Sequence, residues 1–440
     1  MRVDALDRGS LRLSASPAFA AALRLAAPLL LAPALAGCGL ARAADEPEPP
    51  PQGIKRWFDP ATAPFIPIPE IDVDPNSGTT LGLIPTYLVT DDNHDIREII
   101  APAVDHNPYF GVGVRASVYS YPSENRQWTL IAGAKERVES QFHLEYVTGR
   151  LRNDALTFNG SLVYDRSGTP RFYGIGNDSP VYDVTNYTLQ QKYVQGIFGW
   201  NLSHQWQISY TFRARDVQVQ PGTLAGIESL QGRFGDILGV GTTHETLNRV
   251  EIIYDTRDDT IIPTRGGQYV IYGGAAGTAD FLDSSLYSVT GVDVRQLWSP
   301  APGNIIIAHM ALRYMPGVTN VPFWSLSNIG GDQSVIAENQ PLRGFGEGRF
   351  YDRNSFSSSI EYRKTVLSLD AVGTHLNIEL TPFVDVGEVF AHSRESPVAH
   401  LHHVGGIGFR GVASPFVVGY VDVGYGSEGA AVFTGINYPF

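Results

Sequence analysis

The chain has 440 residues and a net charge of −13, with 46 glycines, 11% aromatic and only 18% charged side chains. The negative balance argues against a nucleic-acid binder, which needs a basic footprint, and the single cysteine, Cys38, excludes an intramolecular disulfide framework or a cysteine-based zinc cluster. After the first forty residues no uncharged apolar run reaches the roughly 18 residues of a spanning helix. Alternating membrane strands remain open, because their hydropathy averages to near neutral, as the mean value of −0.09 does.

Residues 1–24 carry Arg2, Arg8, Arg12 and Arg24 ahead of an apolar block at residues 25–36. This is the layout of a secretory signal, which takes no part in the fold. Two cleavage points compete. Leu35-Ala36-Gly37-Cys38 resembles a lipobox and would leave Cys38 as a lipidated N-terminus, whereas Ala41-Arg42-Ala43 suits ordinary signal peptidase. Residues 1–37 are thus expected to be a signal peptide of lipoprotein or ordinary type. Residues 38–75 follow, rich in proline and acidic side chains from residue 44 onward. Such a segment cannot bury a core, so an extended periplasmic linker is expected.

From Ser77 onward the period is two. Trp206, Ile208, Tyr210, Phe212 and Ala214 alternate with Gln205, Gln207, Ser209, Thr211, Arg213 and Arg215. A soluble sandwich alternates in the same way, so the number and spacing of strands decide. About 16 strands are expected, at 79–90, 110–121, 126–136, 139–149, 154–166, 186–200, 204–220, 241–257, 266–278, 283–298, 304–315, 353–365, 375–390, 403–411, 416–426 and 430–440. Residues 96–104 are a further candidate. They are assigned to a loop, because closure with both ends on one side requires an even number.

Short connections (122–125, 150–153, 201–203, 299–303, 412–415) alternate with a set that includes long ones (91–109, 167–185, 221–240, 316–352), as periplasmic turns and surface loops do in outer-membrane barrels. The expected fold is therefore all-β, a 16-stranded antiparallel transmembrane barrel over residues 76–440. Its polar lumen would carry Arg213, Arg215, Arg249, Glu251, Asp255, Glu361, Arg363, Glu379 and Asp385.

Several segments then stand out. Leu342-Arg343-Gly344-Phe345 lies in the longest loop, followed by Tyr351-Asp352-Arg353. Phe383-Val384-Asp385-Val386-Gly387 lies on a late strand. Residues 255–267 form an Asp-Thr-Arg-Asp-Asp…Pro-Thr-Arg-Gly-Gly turn, and residues 171–177 read Arg-Phe-Tyr-Gly-Ile-Gly-Asn. The chain ends Gly435-Ile436-Asn437-Tyr438-Pro439-Phe440.

Together these segments resemble the BamA/TamA family, also called the bacterial surface antigen family, over roughly the last 270 residues. The resemblance implies eleven strands before the long loop and five after it. It also implies that this sixth surface loop folds inward, where Arg343, with Gly344 and Phe345, locks against Asp385 and Gly387. The ending is similar to the assembly signal of such barrels, carried here by Gly435, Tyr438 and Phe440. Implied partners are outer-membrane lipids and lipopolysaccharide, the barrel-assembly machinery, and client proteins or lipids, all at the outer membrane of a Gram-negative bacterium. Members also carry POTRA domains of about 75 residues, above the usual domain floor. Residues 44–75 cannot hold one, so the resemblance is to the barrel half of the family, without its docking half.

Other features read more simply. The glycine run at 344–348 has no following Lys-Ser/Thr or helix, so nucleotide binding is not expected. His400, His402 and His403 lack a cysteine or a well-spaced carboxylate and are read as a solvated loop. No Gly-x-Ser-x-Gly elbow is present. No enzyme activity, cofactor or metal is expected, and Asp332 is read as turn chemistry. Pro85 and Pro439 each delete a ladder donor and are placed at the closing seam, while Pro382 suggests a local bulge. The leading expectation is a barrel that opens the outer membrane for proteins or lipids. The alternatives are a structural or binding surface antigen, a passive pore and an outer-membrane lipase.

Overall fold

Alternation from residue 66 onward builds one antiparallel sheet of eighteen long strands, each paired with its chain neighbours. A computed structural model describes residues 66–440 apart from 91–95, 124, 150–153, 261, 280–283, 317–319, 372–373, 414–416, 437 and 439–440. The expected signal peptide, Cys38, most of the expected linker, Pro439 and Phe440 lie outside the described residues. The wall strands are β1 Ile66–Asp74, β2 Gly78–Thr90, β3 Ile96–Asn107, β4 Gly111–Ser123, β5 Arg126–Lys135, β6 Ser140–Thr148, β7 Leu156–Ser167, β8 Thr185–Asn201 and β9 Trp206–Pro221. They continue with β10 Gly241–Asp255, β11 Gly266–Ala279, β12 Ser284–Ala301, β13 Asn304–Tyr314, β14 Asn354–Ala371, β15 Thr374–Phe390, β16 His402–Ala413, β17 Val417–Gly426 and β18 Gly429–Ile436.

The expected 16 strands are corrected to eighteen. One addition, β1, falls inside the expected linker. Its prolines, Pro67 and Pro69, argue against an interior strand but are tolerated on an edge, and β1 is the edge. The other, β3, contains the segment assigned to a loop on grounds of parity. Two additions restore the even number that one would have broken. The five strands after the long connection keep their expected number, and thirteen precede it. That connection, residues 315–353, is consequently the seventh on its face and not the sixth.

The ring is nearly closed. Among the described residues no backbone ladder joins β1 to β18. Instead Thr434 Oγ1 donates to Ile71 O at 2.9 Å and to Asp72 Oδ1 at 3.3 Å. The seam therefore lies at β1, and Pro85 sits one strand inside it. Pro382 also differs from expectation. It stays in register with Ile407 on β16, while the β14–β15 ladder lapses between Glu361↔Phe383 and Lys364↔Leu380. The missing donor thus interrupts one ladder without a bulge, and the irregularity falls at Thr365/Leu367.

The two faces separate by polarity, as alternation requires. Outward positions expose Trp128, Leu162, Phe198, Trp200, Trp206 and Trp298. Aromatic neighbours run from strand to strand, Trp128–Tyr146 at 4.5 Å and Trp206–Tyr254 at 4.7 Å between centroids, as in the girdle of a lipid-facing wall. Toward the long-loop end of β9 and β10 the outward residues turn polar. There His244 Nδ1 meets Asp216 Oδ1 at 2.5 Å, with 54% and 59% of the two side chains exposed. On the opposite face Arg213, Arg249, Glu251, Asp255, Glu361, Arg363, Glu379 and Asp385 are all buried.

Candidate functional site

The longest connection leaves β13 at residue 315, makes a short strand pair, Ser327–Ile329 with Phe350–Asp352, and returns into β14. Between them Phe345 N–H closes a turn onto Leu342 O at 3.0 Å. That turn projects the intervening Arg343 toward the polar faces of β14, β15 and β17.

Arg343 is fully buried. Its Nε and Nη2 donate to the two oxygens of Asp385 at 2.9 and 2.8 Å, and its backbone N–H donates to Asp385 Oδ2 at 3.1 Å. Its Nη1 donates to Glu361 Oε2 at 2.7 Å and to Asp422 Oδ2 at 3.0 Å, and its Nη2 to Ser359 Oγ at 2.9 Å. Two parallel bonds to one carboxylate match the planar fork of a guanidinium, which a lysine cannot reproduce. The guanidinium also lies 3.5 Å from the centroid of the Phe383 ring, where ring and cation attract.

Cations and carboxylates alternate within the cluster. Arg363 Nε donates to Glu361 Oε1 at 2.7 Å, and Arg410 Nη2 donates to Asp422 Oδ2 at 3.0 Å. Three arginines (343, 363 and 410) thus face three carboxylates (361, 385 and 422), and such pairing is what offsets the cost of taking ions out of water. Burial alone would weaken the hold of Arg343 on its proton, but Asp385, Glu361 and Asp422 raise its pKa well above the ordinary value.

Glycines allow the approach. A Cβ on Gly344 would stand 2.7 Å from Gly426 N and 2.8 Å from Val404 Cγ2, and one on Gly424 would stand 1.9 Å from Arg343 O. One on Gly387 would meet Phe356 O at 3.0 Å. Phe345 is buried against Phe350 and His402, with centroids 5.3 and 5.6 Å away.

The same connection is tied elsewhere. Arg213 Nη1 donates to Glu338 Oε1 at 2.6 Å. Burial alone would raise the Glu338 carboxyl, yet Arg213, helped by Arg249 and Arg215, holds it down to about 2. Arg349 Nε donates to Glu428 Oε1 at 2.8 Å, and its Nη1 donates to Ser179 Oγ at 3.0 Å.

The structure therefore brings Arg343, Gly344, Phe345, Asp385 and Gly387 together. Gly435 pairs with Tyr420 in the last ladder. Tyr438 lies beneath Arg363, 3.6 Å from guanidinium carbon to ring centroid. Sequence reading placed Glu361 and Arg363 in the lumen without assigning them to this site, and it missed Ser359, Arg410 and Asp422. Their signal was charge at the inward phase of an apolar strand, as in Val421-Asp422-Val423.

His400 and His403 are exposed, as a solvated loop requires, whereas His402 is half-buried. His402 stacks on Phe350 with centroids 4.0 Å apart, and among the described residues no group of three or more His, Cys, Asp or Glu could hold a metal. Asp332 accepts a hydrogen bond from Tyr420, so it makes a tertiary contact beyond its own turn.

A sequence profile described as the Omp85 superfamily domain matches residues 123–409. No curated protein sequence matches at a significant level. Among solved structures, the chain is similar to BamA from Haemophilus ducreyi lacking POTRA domains 1–3, with a TM-score of 0.51 and 14% identity over 80% of this chain and 75% of that one. It also matches CdiB from Escherichia coli, with a TM-score of 0.45 and 10% identity over 83% of this chain and 61% of that one. For CdiB from Acinetobacter baumannii the TM-score is 0.42 and the identity 12%, over 85% and 59%. At these identities the likeness extends to the fold alone, and only for the first of the three.

Proposed function

This chain belongs to the Omp85 superfamily and is a bacterial outer-membrane β-barrel, and within that family we propose that it opens the membrane around itself to help proteins or lipids insert or cross. In this reading residues 315–353 fold into the lumen and brace it through Arg343, while the wall parts at the β1–β18 seam. The observation that carries it is the pairing of a fully buried, ion-paired anchor with a seam at which, among the described residues, no backbone ladder joins β1 to β18. A rigid brace on one side and a weak join on another let a barrel open without collapsing.

Lipids and lipopolysaccharide are the proposed surroundings, the barrel-assembly machinery the proposed route of insertion, and client proteins or lipids the proposed cargo. Residues 1–37 are proposed as the export signal and Cys38 as a lipidated N-terminus. Mass spectrometry of the mature N-terminus tests that assignment, and a start at residue 44 rejects it. The function is tested by dye release from liposomes holding the refolded chain, together with conductance in planar bilayers. Transient openings that vanish when positions 72 and 434 are joined by an engineered disulfide support the reading. A steady open conductance would favour a passive pore, and silence in both assays a structural or binding surface antigen.

A further inference from the structure

Between the connection 315–353 and the inner face of β3–β9 lies a cavity of about 440 Å³. That volume falls among small-molecule sites, roughly 300–1,000 Å³, and is many times the roughly 30 Å³ of one water. Residues 169–171 line its surface side, where the segment Arg-Phe-Tyr-Gly-Ile-Gly-Asn begins. The far end of that segment is fastened to the opposite part of the wall. Asn177 Nδ2 donates to His400 O at 2.7 Å, and Val389 N–H donates to Asn177 Oδ1 at 3.0 Å.

Most charges around the chamber are already engaged. Lys135 Nζ pairs with Asp105 at 2.5 Å, Arg115 with Glu70 at 2.9 Å and Arg215 with Glu245 at 2.7 Å. Glu338 is held by Arg213, and Glu139 accepts from Gly168 N–H at 2.6 Å. An anion would find only Arg171 without a carboxylate of its own among the described residues. A metal ion would find no group of three or more His, Cys, Asp or Glu able to hold it, again among the described residues.

Other groups are open. Gln141, Asp165 and Gln191 stand on one rung across β6, β7 and β8. All three line the cavity, and none has a hydrogen-bond partner among the described residues. From the connection, Asn328 is only 6% exposed and donates through Nδ2 to Asn339 Oδ1 at 2.9 Å, yet its own Oδ1 has no partner in the chain. From the surface side, Arg171 Nη2 donates to Asn76 O at 2.8 Å, while its buried Nε is likewise unpartnered. Buried polar groups are normally satisfied.

The mixture of open groups defines what would satisfy them. A carboxylate only accepts, a guanidinium only donates and a carboxamide does both. Hydroxyl groups answer all three. One open carboxylate set against one open guanidinium favours a ligand without net charge. Neighbouring strands stand about 4.8 Å apart, so the rung of Gln141, Asp165 and Gln191 meets a row of polar atoms and not a single one. Trp324 adds a flat ring, held by donation from Nε1 to Gly239 O at 3.1 Å.

We therefore propose that this chamber binds a neutral saccharide of about disaccharide size, held by Asp165, Gln141 and Gln191 from the wall, Asn328 from the connection and Arg171 from the surface side. Because β6–β8 stand between the chamber and the lipid, the ligand is a soluble sugar and not the glycan of a membrane lipid. The site goes beyond the membrane-opening reading and does not depend on it.

The test is calorimetric titration of the full chain in phosphatidylcholine liposomes with lactose, maltose and sucrose, beside spermidine and sulfate. At least one disaccharide should bind at a single saturable site, and the two ions should not. Asp165→Asn should weaken that binding roughly tenfold or more, the effect of one hydrogen bond to a charged group. Gln191→Leu should also weaken it, in protein whose folded gel band matches the wild type. Silence from all three sugars leaves water as the occupant and overturns the proposal. Binding of spermidine or sulfate without any sugar overturns it too, as does sugar binding that folded Asp165→Asn and Gln191→Leu leave at wild-type strength. Should those variants not fold, Trp324→Phe decides. The fluorescence change that the sugar induces in the wild type should be lost in that variant, and its persistence overturns the chamber as the site.

Discussion

Arg343 is a side chain whose loss no neighbour can absorb. Replacing it with alanine leaves Asp385, Glu361 and Asp422 buried together, with Arg363 and Arg410 as the remaining positive charges. Stranding a buried charge in this way costs about 3–5 kcal/mol. The folded band of Arg343→Ala on an unboiled gel should therefore convert at a clearly lower temperature than the wild type. Arg343→Lys should not restore it, because an ammonium cannot make the paired bonds to Asp385 while also reaching Ser359. Full heat resistance in the alanine variant would contradict the brace. Gly424→Ala tests the same contact from the wall. Its methyl would overlap Arg343 O at 1.9 Å, so trypsin should cut within 315–353 in that variant under conditions that leave the wild type whole.

At the scale of elements, the connection 315–353 has a second tie, and that one depends on pH. The folded Glu338 carboxyl titrates near 2, below its ordinary 4.5. A depressed carboxylate contributes stability above its unfolded value and loses it as pH falls through the folded one. Trp324, in the same connection, stacks with Arg215 at 4.5 Å and donates to Gly239 O at 3.1 Å. Its fluorescence should hold steady above about pH 4.5 and change between there and about pH 2. Glu338→Gln should show the altered signal already at neutral pH. A wild-type signal that changes between pH 5 and 7 instead would assign the transition to another group.

What was legible in the sequence follows the same division of scale. Strict alternation made β7, β9 and β15 readable, because one face of each strand is apolar and the other polar. β1 was not readable, because its prolines and acids have the composition of a linker. Only its place at the edge of the sheet makes those residues acceptable, and that place is a tertiary fact. Arg343 and Asp385 could be named from motifs. Ser359, Arg410 and Asp422 could not, since inward polar residues occur on every strand and only the fold shows which ones converge.

At the scale of the whole molecule, a ring whose seam shows no backbone ladder among the described residues should be unevenly stable. Guanidinium unfolding followed by exchange should lose the β1–β2 and β18 amides before those of β9–β15. Uniform loss would mean that the seam is as strong as the wall. The same unevenness predicts that the 72–434 disulfide raises the temperature of gel conversion in the wild type. A disulfide placed between neighbouring strands well inside the wall should add less.

The polar crown of β9 and β10 has a practical consequence. A strand of 16 residues at roughly 3.3 Å per residue, tilted by about 40°, stands roughly 40 Å tall against an apolar band of about 25 Å. The excess carries His244 and Asp216 out of the hydrocarbon on the long-loop side. Part of the wall itself, and not only its loops, thus lies within reach of antibodies, proteases or water-soluble labels on intact cells. A cysteine at position 244 would report which way the barrel is threaded through the membrane without a loop having to be altered.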